Sequence, residues 1–310
     1  MNHLVAIVGV VFVGLSPIWV TLADVSPATA AFFRSIYALP ALTLIWFFAG
    51  RGDERSARAR SLAVASGFLF AIDLTVWHQS IAYIGAGLST ILANTQVVFV
   101  AMLAWLFHRE RPTKAAFQII PVILIGALCI SGLGQDSSYG VAPVAGTVLA
   151  LTSGLLYALF LLIFRASNRL LARPAGPLLD ATMGASVATL AVGRLDPGFS
   201  LEVAWPSHGY LLALALGSQV AGWLMITYAL PRLAALETSV LMLVQPMVSL
   251  IVAALLLSER ISWLQGLGIF LVVGGVAWIS VRGATRPEKG EQEWSSNNTI
   301  SKTRASSSSV

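Results

Sequence analysis

Asp73 is the one carboxylate that falls well inside an apolar stretch of this 310-residue sequence. A charge so placed faces a bundle interior or water, not lipid. Trp77 and Ser80 follow at i+4 and i+7, on about one stripe of a helix, so an acid and an aromatic plate share a face. That pair suits an ammonium group, which can pair with the carboxylate and stack on the indole. A plainer reading has Asp73 protonated or hydrogen-bonded, serving only to hold helices together. His78 lies roughly 140° around the same helix and does not form one dyad with Asp73. It titrates near neutrality and offers a proton handle, or simply a bond to a neighbouring helix. Asn94 and Gln96 fall on nearly opposite faces of a continuous helix, and both amides need partners in hydrocarbon. Gln219 and Trp223 stand at i and i+4 in a later stretch, as cavity lining or as packing.

The chemistry of an enzyme is not legible here. No H-E-x-x-H, acid pair or nucleotide-binding motif occurs, and Gly14-Leu15-Ser16-Pro17 lacks the second glycine of a serine elbow. Cys129 is the single cysteine, which excludes an intrachain disulfide and a multi-cysteine metal site. The expectation is therefore not an enzyme, with no cofactor and no metal; a membrane-embedded enzyme, a receptor or a channel are the less favoured alternatives. Other polar residues have structural readings. Arg34, seven residues into its stretch, either snorkels outward or binds a helix neighbour. Asp180 in a first helical turn suits the helix dipole. Glu110 and Glu259 close apolar stretches beside Arg111 and Arg260 as interfacial pairs, and Trp205 and Trp263 fit an aromatic belt.

The elements that position these residues follow from composition. The chain is 57% hydrophobic and only 11% charged, against about 25% charged for a soluble domain. The bilayer must be its solvent. A hydrocarbon core about 30 Å thick needs roughly 20 apolar residues per helix. Ten such stretches are legible: Leu4–Leu22, Pro27–Phe48, Leu62–Tyr83, Leu88–Phe107, Ala115–Leu133, Gly146–Phe164, Pro177–Val192, Gly209–Tyr228, Thr238–Leu257 and Trp263–Val281. Continuous apolar runs exclude the two-residue alternation of a membrane barrel. The first stretch is read as retained rather than as a signal peptide. Despite Ala28-Thr29-Ala30, it lacks a positive n-region and a second spanning run follows at once.

Lys and Arg gather on the cytoplasmic side of a membrane protein. With both termini cytoplasmic, 16 of the 19 basic residues lie inside, Arg194 and Arg260 lie outside, and Arg34 sits within a span. The basic balance is thus a topology signal, and nucleic acid is not an expected partner. Residues 284–310, polar and Ser-rich, are expected to form a disordered cytoplasmic tail.

Sliding the chain by 149 residues lays Leu88–Arg111 over Glu237–Arg260, with Gln96 on Gln245 and Glu110-Arg111 on Glu259-Arg260; the register continues to Gly126 on Gly275. Five helices per unit is an odd number, so the two copies cross the membrane in opposite senses. The expected fold is all-α and integral to the membrane: ten transmembrane helices as two inverted five-helix repeats, 1–138 and 139–283, around a central cavity. Inverted repeats of this kind place a substrate site near the midplane between the halves.

The run Glu259-Arg260-Ile261-Ser262-Trp263-Leu264-Gln265-Gly266-Leu267-Gly268, followed by Gly274-Gly275-Val276, resembles the closing motif of EamA-type members of the drug/metabolite transporter superfamily. The first copy departs from it at Ile119, opposite Gly268, and at Val97, opposite Pro246. Within the superfamily the chain looks most like the YddG-type amino acid exporters. The resemblance implies a carrier of the bacterial inner membrane that exports amino acids or related metabolites by alternating access. Drugs, polyamines and purines are the alternative cargo, and protons a possible coupling partner. It also implies that helices 5 and 10 are peripheral, and that helices 3, 4, 6, 8 and 9 line the cavity. Asp73, Trp77, Asn94, Gln96 and Tyr157 would face it. The expected substrate-binding set is Asp73, Trp77, His78, Asn94, Gln96, Tyr157, Gln219, Trp223 and Gln245.

Overall fold

A computed structural model describes residues 2–49, 55–108, 114–131, 140–167, 174–229, 232–233 and 241–284. Glu110 and residues 285–310, the bulk of the expected tail, lie outside that set. The described residues are all-helical with no strand. Backbone groups in hydrocarbon find no water, so they pair along their own helix. The elements are α1 (Asn2–Gly14), α2 (Ser16–Ala23), α3 (Pro27–Ile36), α4 (Ala38–Ala49), α5 (Ala57–Ile84), α6 (Ala86–Ala93), α7 (Gln96–His108) and α8 (Lys114–Ile130). They continue as α9 (Pro143–Ser167), α10 (Ala175–Gly193), α11 (Ser207–Ala213), a π-helix (Leu214–Gly222), α12 (Trp223–Ala229), α13 (Val244–Leu256) and α14 (Trp263–Ala284).

Among the described residues six helical stretches are long and apolar enough to cross a membrane: Asn2–Ala23, Pro27–Phe48, Ala57–Ile84, Pro143–Ser167, Ala175–Gly193 and Ser207–Ala229. Shorter apolar helices occupy Ala86–Val100, Gln118–Ile130, Val244–Leu256 and Trp263–Trp278. The chain is a multi-pass membrane protein. Helix α14 continues three residues beyond the expected end at Val281, through Ala284.

Several stretches are broken rather than continuous. The first bends at Leu15, where Pro17 brings no N–H to the ladder. The second breaks at Tyr37, and the eighth carries nine residues of π-helix. The fourth breaks at Asn94 and Thr95, whose side chains bond backward, Asn94 Nδ2 to the Thr90 carbonyl at 2.8 Å and Thr95 Oγ1 to that of Leu92 at 2.7 Å. The ninth turns at Leu243, ahead of Pro246, and the 149-residue offset superposes Leu243 on Asn94.

Small residues set the closest helix crossings. A Cβ on Gly67 would stand 2.0 Å from the Ala181 carbonyl oxygen, and one on Gly184 2.2 Å from that of Val64, so α5 and α10 touch backbone to backbone. Helices α8 and α14 do the same through Gly126 and Gly268. Such contact gains dispersion where lipid offers no hydrophobic drive between helices. Helix α5, packed on both α9 and α10, is the centre of the bundle.

Two polar residues differ from expectation. The seventh helix starts at Ala175, so Asp180 lies in its second turn; it pairs with Arg55 at 2.8 Å and Arg60 at 3.7 Å, ion pairs replacing the dipole contact. Among the described residues Glu259 forms no ion pair with its neighbour Arg260. Its two oxygens instead accept the backbone N–H groups of Ala86 at 2.6 Å and Gly87 at 3.1 Å. Gly85, the residue preceding α6, has no side chain to cap with, and Glu259 supplies the acceptor from across the fold.

Candidate functional site

Two cavities lie along α5. The central one, about 60 Å³, is lined by residues from α1, α2, α3, α5, α6, α7, α9, α12 and α13 and from the Asn94 break. Among the described residues helices α8 and α14 contribute nothing to it. Asp73, Trp77, Asn94, Gln96, Tyr157, Trp223 and Gln245 all line it. The break explains why Asn94 and Gln96 meet there. They would oppose each other on an unbroken helix, but α6 ends at Ala93 and α7 restarts at Gln96. Non-helical backbone at this depth is tolerated where it borders a cavity.

Asp73 is 4% exposed. Its Oδ1 accepts the Ser153 hydroxyl at 2.6 Å, tying α5 to α9. Ser80, on the same stripe, instead donates to the Gly146 carbonyl at 2.8 Å and is used in packing. Three lining residues carry buried polar atoms with no partner among the described residues: the indole nitrogens of Trp77 and Trp223 and the amide oxygen of Gln96. Two donors and one acceptor on residues around the hollow are thus left without a partner among the described residues, and a buried polar group so left is costly.

Two expected residues sit elsewhere. His78 is 1% exposed and lines the second, larger cavity of about 620 Å³, beside Asp24, Tyr83 and Glu259. Its Nδ1 lies 3.2 Å from the Pro27 carbonyl, which can only accept, so Nδ1 carries a proton, and Nε2, an acceptor in the neutral ring, has no partner among the described residues. The Trp77 and His78 rings are 5.4 Å apart, one lining each cavity. Gln219 is 1% exposed and lies behind the wall, its Oε1 accepting Arg34 Nε at 3.0 Å.

Of the two readings open for Arg34, the structure takes the second, bonding to neighbouring helices. The side chain does not snorkel; it is 2% exposed and lines the central cavity. Besides Gln219, Ser16 accepts from its Nη1 at 3.2 Å, and its guanidinium lies 5.6 Å from the Phe70 ring centroid. The first two helical stretches therefore join the lining, through Val13, Ser16 and Arg34. Sequence carried one signal for this, an arginine well inside an apolar stretch, but not which way it faced. Toward the Ala57 end of α5 the cavity is closed by aromatic rings. Phe70 stacks on Phe160 at 4.7 Å, and Trp223 meets Phe160 edge-on at 5.7 Å and Phe164 at 6.3 Å. The arrangement presents a carboxylate, a guanidinium and amide groups to one small hollow, between the aromatic floor and the second cavity. Among the described residues no group of three His, Cys, Asp or Glu side chains could hold a metal ion.

Comparison with known proteins agrees with a carrier. Residues 1–132 and 144–281 each match the EamA-like transporter family. The chain is 26% identical over 230 residues to an uncharacterized transporter of Synechocystis sp., covering 70% of this chain and 66% of that one. It is 30% identical over 128 residues to the pseudopaline exporter CntI of Pseudomonas aeruginosa, covering 41% of this chain and 44% of the exporter. The matches thus span under two thirds of the length of these relatives. A solved crystal structure superposes with a TM-score of 0.62 at 13% identity, over 92% of this chain and 99% of that one, which establishes likeness of fold alone. These family and relative names are those of transporters, and with both halves matched the chain belongs to the EamA-like transporter family of the drug/metabolite transporter superfamily.

Proposed function

We propose that this chain is a secondary transporter that exports amino acids or similar small metabolites across a bacterial inner membrane by alternating access, in the manner of the YddG-type exporters. Ten spans in two inverted five-helix halves, 1–138 and 139–283, with both termini cytoplasmic, are its architecture. The separate family matches to 1–132 and 144–281 support the duplication, as does the fall of both helix breaks, Asn94 and Leu243, at superposed positions. In that orientation the aromatic floor faces the cytoplasm and the larger cavity faces outward. The naming of one relative as a pseudopaline exporter favours export as the direction.

The observation that carries the reading is that Asp73 shares a cavity drawn from both halves with Trp77, Gln96 and Trp223, each carrying a buried polar atom unpartnered among the described residues. A substrate satisfies those atoms; a purely structural core would have satisfied them itself. At about 60 Å³ the hollow has room for a few waters rather than a metabolite. Substrate entry therefore requires the halves to part, which is what alternating access supplies. Uptake of labelled amino acids into proteoliposomes, with and without a pH gradient, tests the reading. Flux is expected from the wild type and at least tenfold less from Asp73→Asn and Trp77→Ala. Unchanged flux in both variants removes those residues from the path, and flux blind to the gradient removes proton coupling.

A further inference from the structure

We infer that Arg34 is the anion-binding pole of the central cavity, taking the carboxylate of a substrate whose ammonium end lies toward Asp73. The inference rests on the transport reading and narrows it to carboxylate-bearing amines, at the expense of polyamines and cationic drugs.

A guanidinium offers five N–H donors and is always charged. At Arg34 two of them are engaged, Nε by Gln219 Oε1 at 3.0 Å and Nη1 by Ser16 Oγ at 3.2 Å, and both acceptors are neutral. Among the described residues no carboxylate lies within ion-pair distance, although Arg34 is 2% exposed. Burying an unpaired charge is costly, and proteins do so where a ligand completes the pair. The neighbouring contacts orient rather than neutralise. Gln219 donates its own Nε2 to Thr182 Oγ1 at 3.3 Å, which turns its carbonyl oxygen toward Arg34. It stands in the π-helix Leu214–Gly222, a geometry found at functional positions of helices. The Phe70 ring lies 5.6 Å from the guanidinium on its apolar side.

Asp73 borders the same cavity, one turn beyond Phe70, with Ser153 as its hydrogen-bond donor. Opposite charges thus face one hollow without forming an ion pair with each other. A zwitterion inserted between them completes both. An amine lacking a carboxylate would complete Asp73 but leave Arg34 unpaired and repelling it, so the arginine selects against such cargo. Planar, forked guanidinium is also the group that matches carboxylate bidentately, which lysine does not.

The test uses full-length protein in proteoliposomes and three matched pairs: phenylalanine with phenethylamine, leucine with isoamylamine, and arginine with agmatine. The wild type is expected to move at least one amino acid ten or more times faster than its decarboxylated partner. Arg34→Gln should cut amino-acid flux at least tenfold and collapse that preference toward unity; Arg34→Lys should keep the preference while raising KM for the amino acid. Equal flux of acid and amine by the wild type, or a preference that survives Arg34→Gln, overturns the inference while leaving transport intact. If the wild type moves the amines alone, Asp73 binds substrate and Arg34 does not. If it moves no member of any pair, the amino-acid reading itself falls. Should Arg34→Gln fail to fold, Arg34→Lys decides alone, since an unchanged KM for the amino acid overturns the assignment.

Discussion

Arg34 Nε donates to Gln219 Oε1 at 3.0 Å, joining residues 185 positions apart in the chain and linking the second helical stretch to the eighth. The bond is buried and charged on the donor side, a class of hydrogen bond worth about 1.5–3 kcal/mol. Gln219→Leu keeps approximate volume and removes the acceptor. It should destabilise the protein by about 2 kcal/mol, read as a lowered unfolding midpoint in detergent. Gln219→Glu should do the reverse, by giving the guanidinium a carboxylate. That internal partner would compete with substrate, so a higher midpoint accompanied by lost flux is expected. Unaltered midpoints in both variants would mean the bond contributes nothing.

His78, which lines the larger cavity, donates through Nδ1 to the Pro27 carbonyl and keeps Nε2 buried. The two nitrogens are separated by substitution. Asn places a donor near the Nδ1 position and Gln one near Nε2, while Phe removes both. His78→Phe strands the Pro27 carbonyl and should cost about 1–3 kcal/mol; His78→Asn should hold the wild-type midpoint. Equal midpoints for Phe and Asn would show that the Pro27 bond is energetically silent.

Sequence reasoning located helices well because in lipid a helix and its apolar stretch are nearly the same object. It located interruptions poorly. A window averaged over a span cannot see that Asn94 and Thr95 turn back on the preceding carbonyls, or that one helix ends at Gly14 and another begins at Ser16. This is why Asn94 and Gln96 were assigned opposite faces and yet line one cavity. Long-range partners were likewise illegible. Arg34 was read from its depth in a stretch, whereas its direction is set by Gln219 and Ser16. Glu259 was read beside Arg260, its neighbour in sequence, whereas its oxygens serve a helix 173 residues away. In both cases residue type correctly announced a need for a partner, and only the fold could name it.

The α5–α10 crossing makes a steric prediction. A Cβ on Gly67 would meet the Ala181 carbonyl oxygen at 2.0 Å, closer than any real contact, and that atom belongs to a helical backbone that cannot rotate away. Gly67→Ala must push the helices apart and is expected to destabilise by about 1–3 kcal/mol, the usual cost of overpacking. Gly274 supplies the control, since a Cβ there meets nothing within 4 Å. Gly274→Ala should be neutral or slightly stabilising, because alanine is the better helix former. Equal unfolding midpoints for the two variants would refute the close crossing.

Glu259 provides the pH dependence. It lies in the turn between α13 and α14, and burial pushes its carboxyl above the usual glutamate range, while the N–H groups of Ala86 and Gly87 pull less strongly the other way. A raised value in the folded state means the folded protein holds this proton more tightly than the unfolded chain does. Its contribution is then fully present below the ordinary glutamate value of 4.5 and is lost as pH climbs through the raised one. Glu259→Gln removes the titration and leaves one acceptor oxygen for the end of α6. The wild-type unfolding midpoint minus that of Glu259→Gln should therefore fall as pH rises from 4 and level off once Glu259 is ionised. Parallel curves would show that its carboxyl is not perturbed by folding. A difference that grows with pH would mean that the two backbone N–H groups outweigh burial, and that the charged cap is the favoured form.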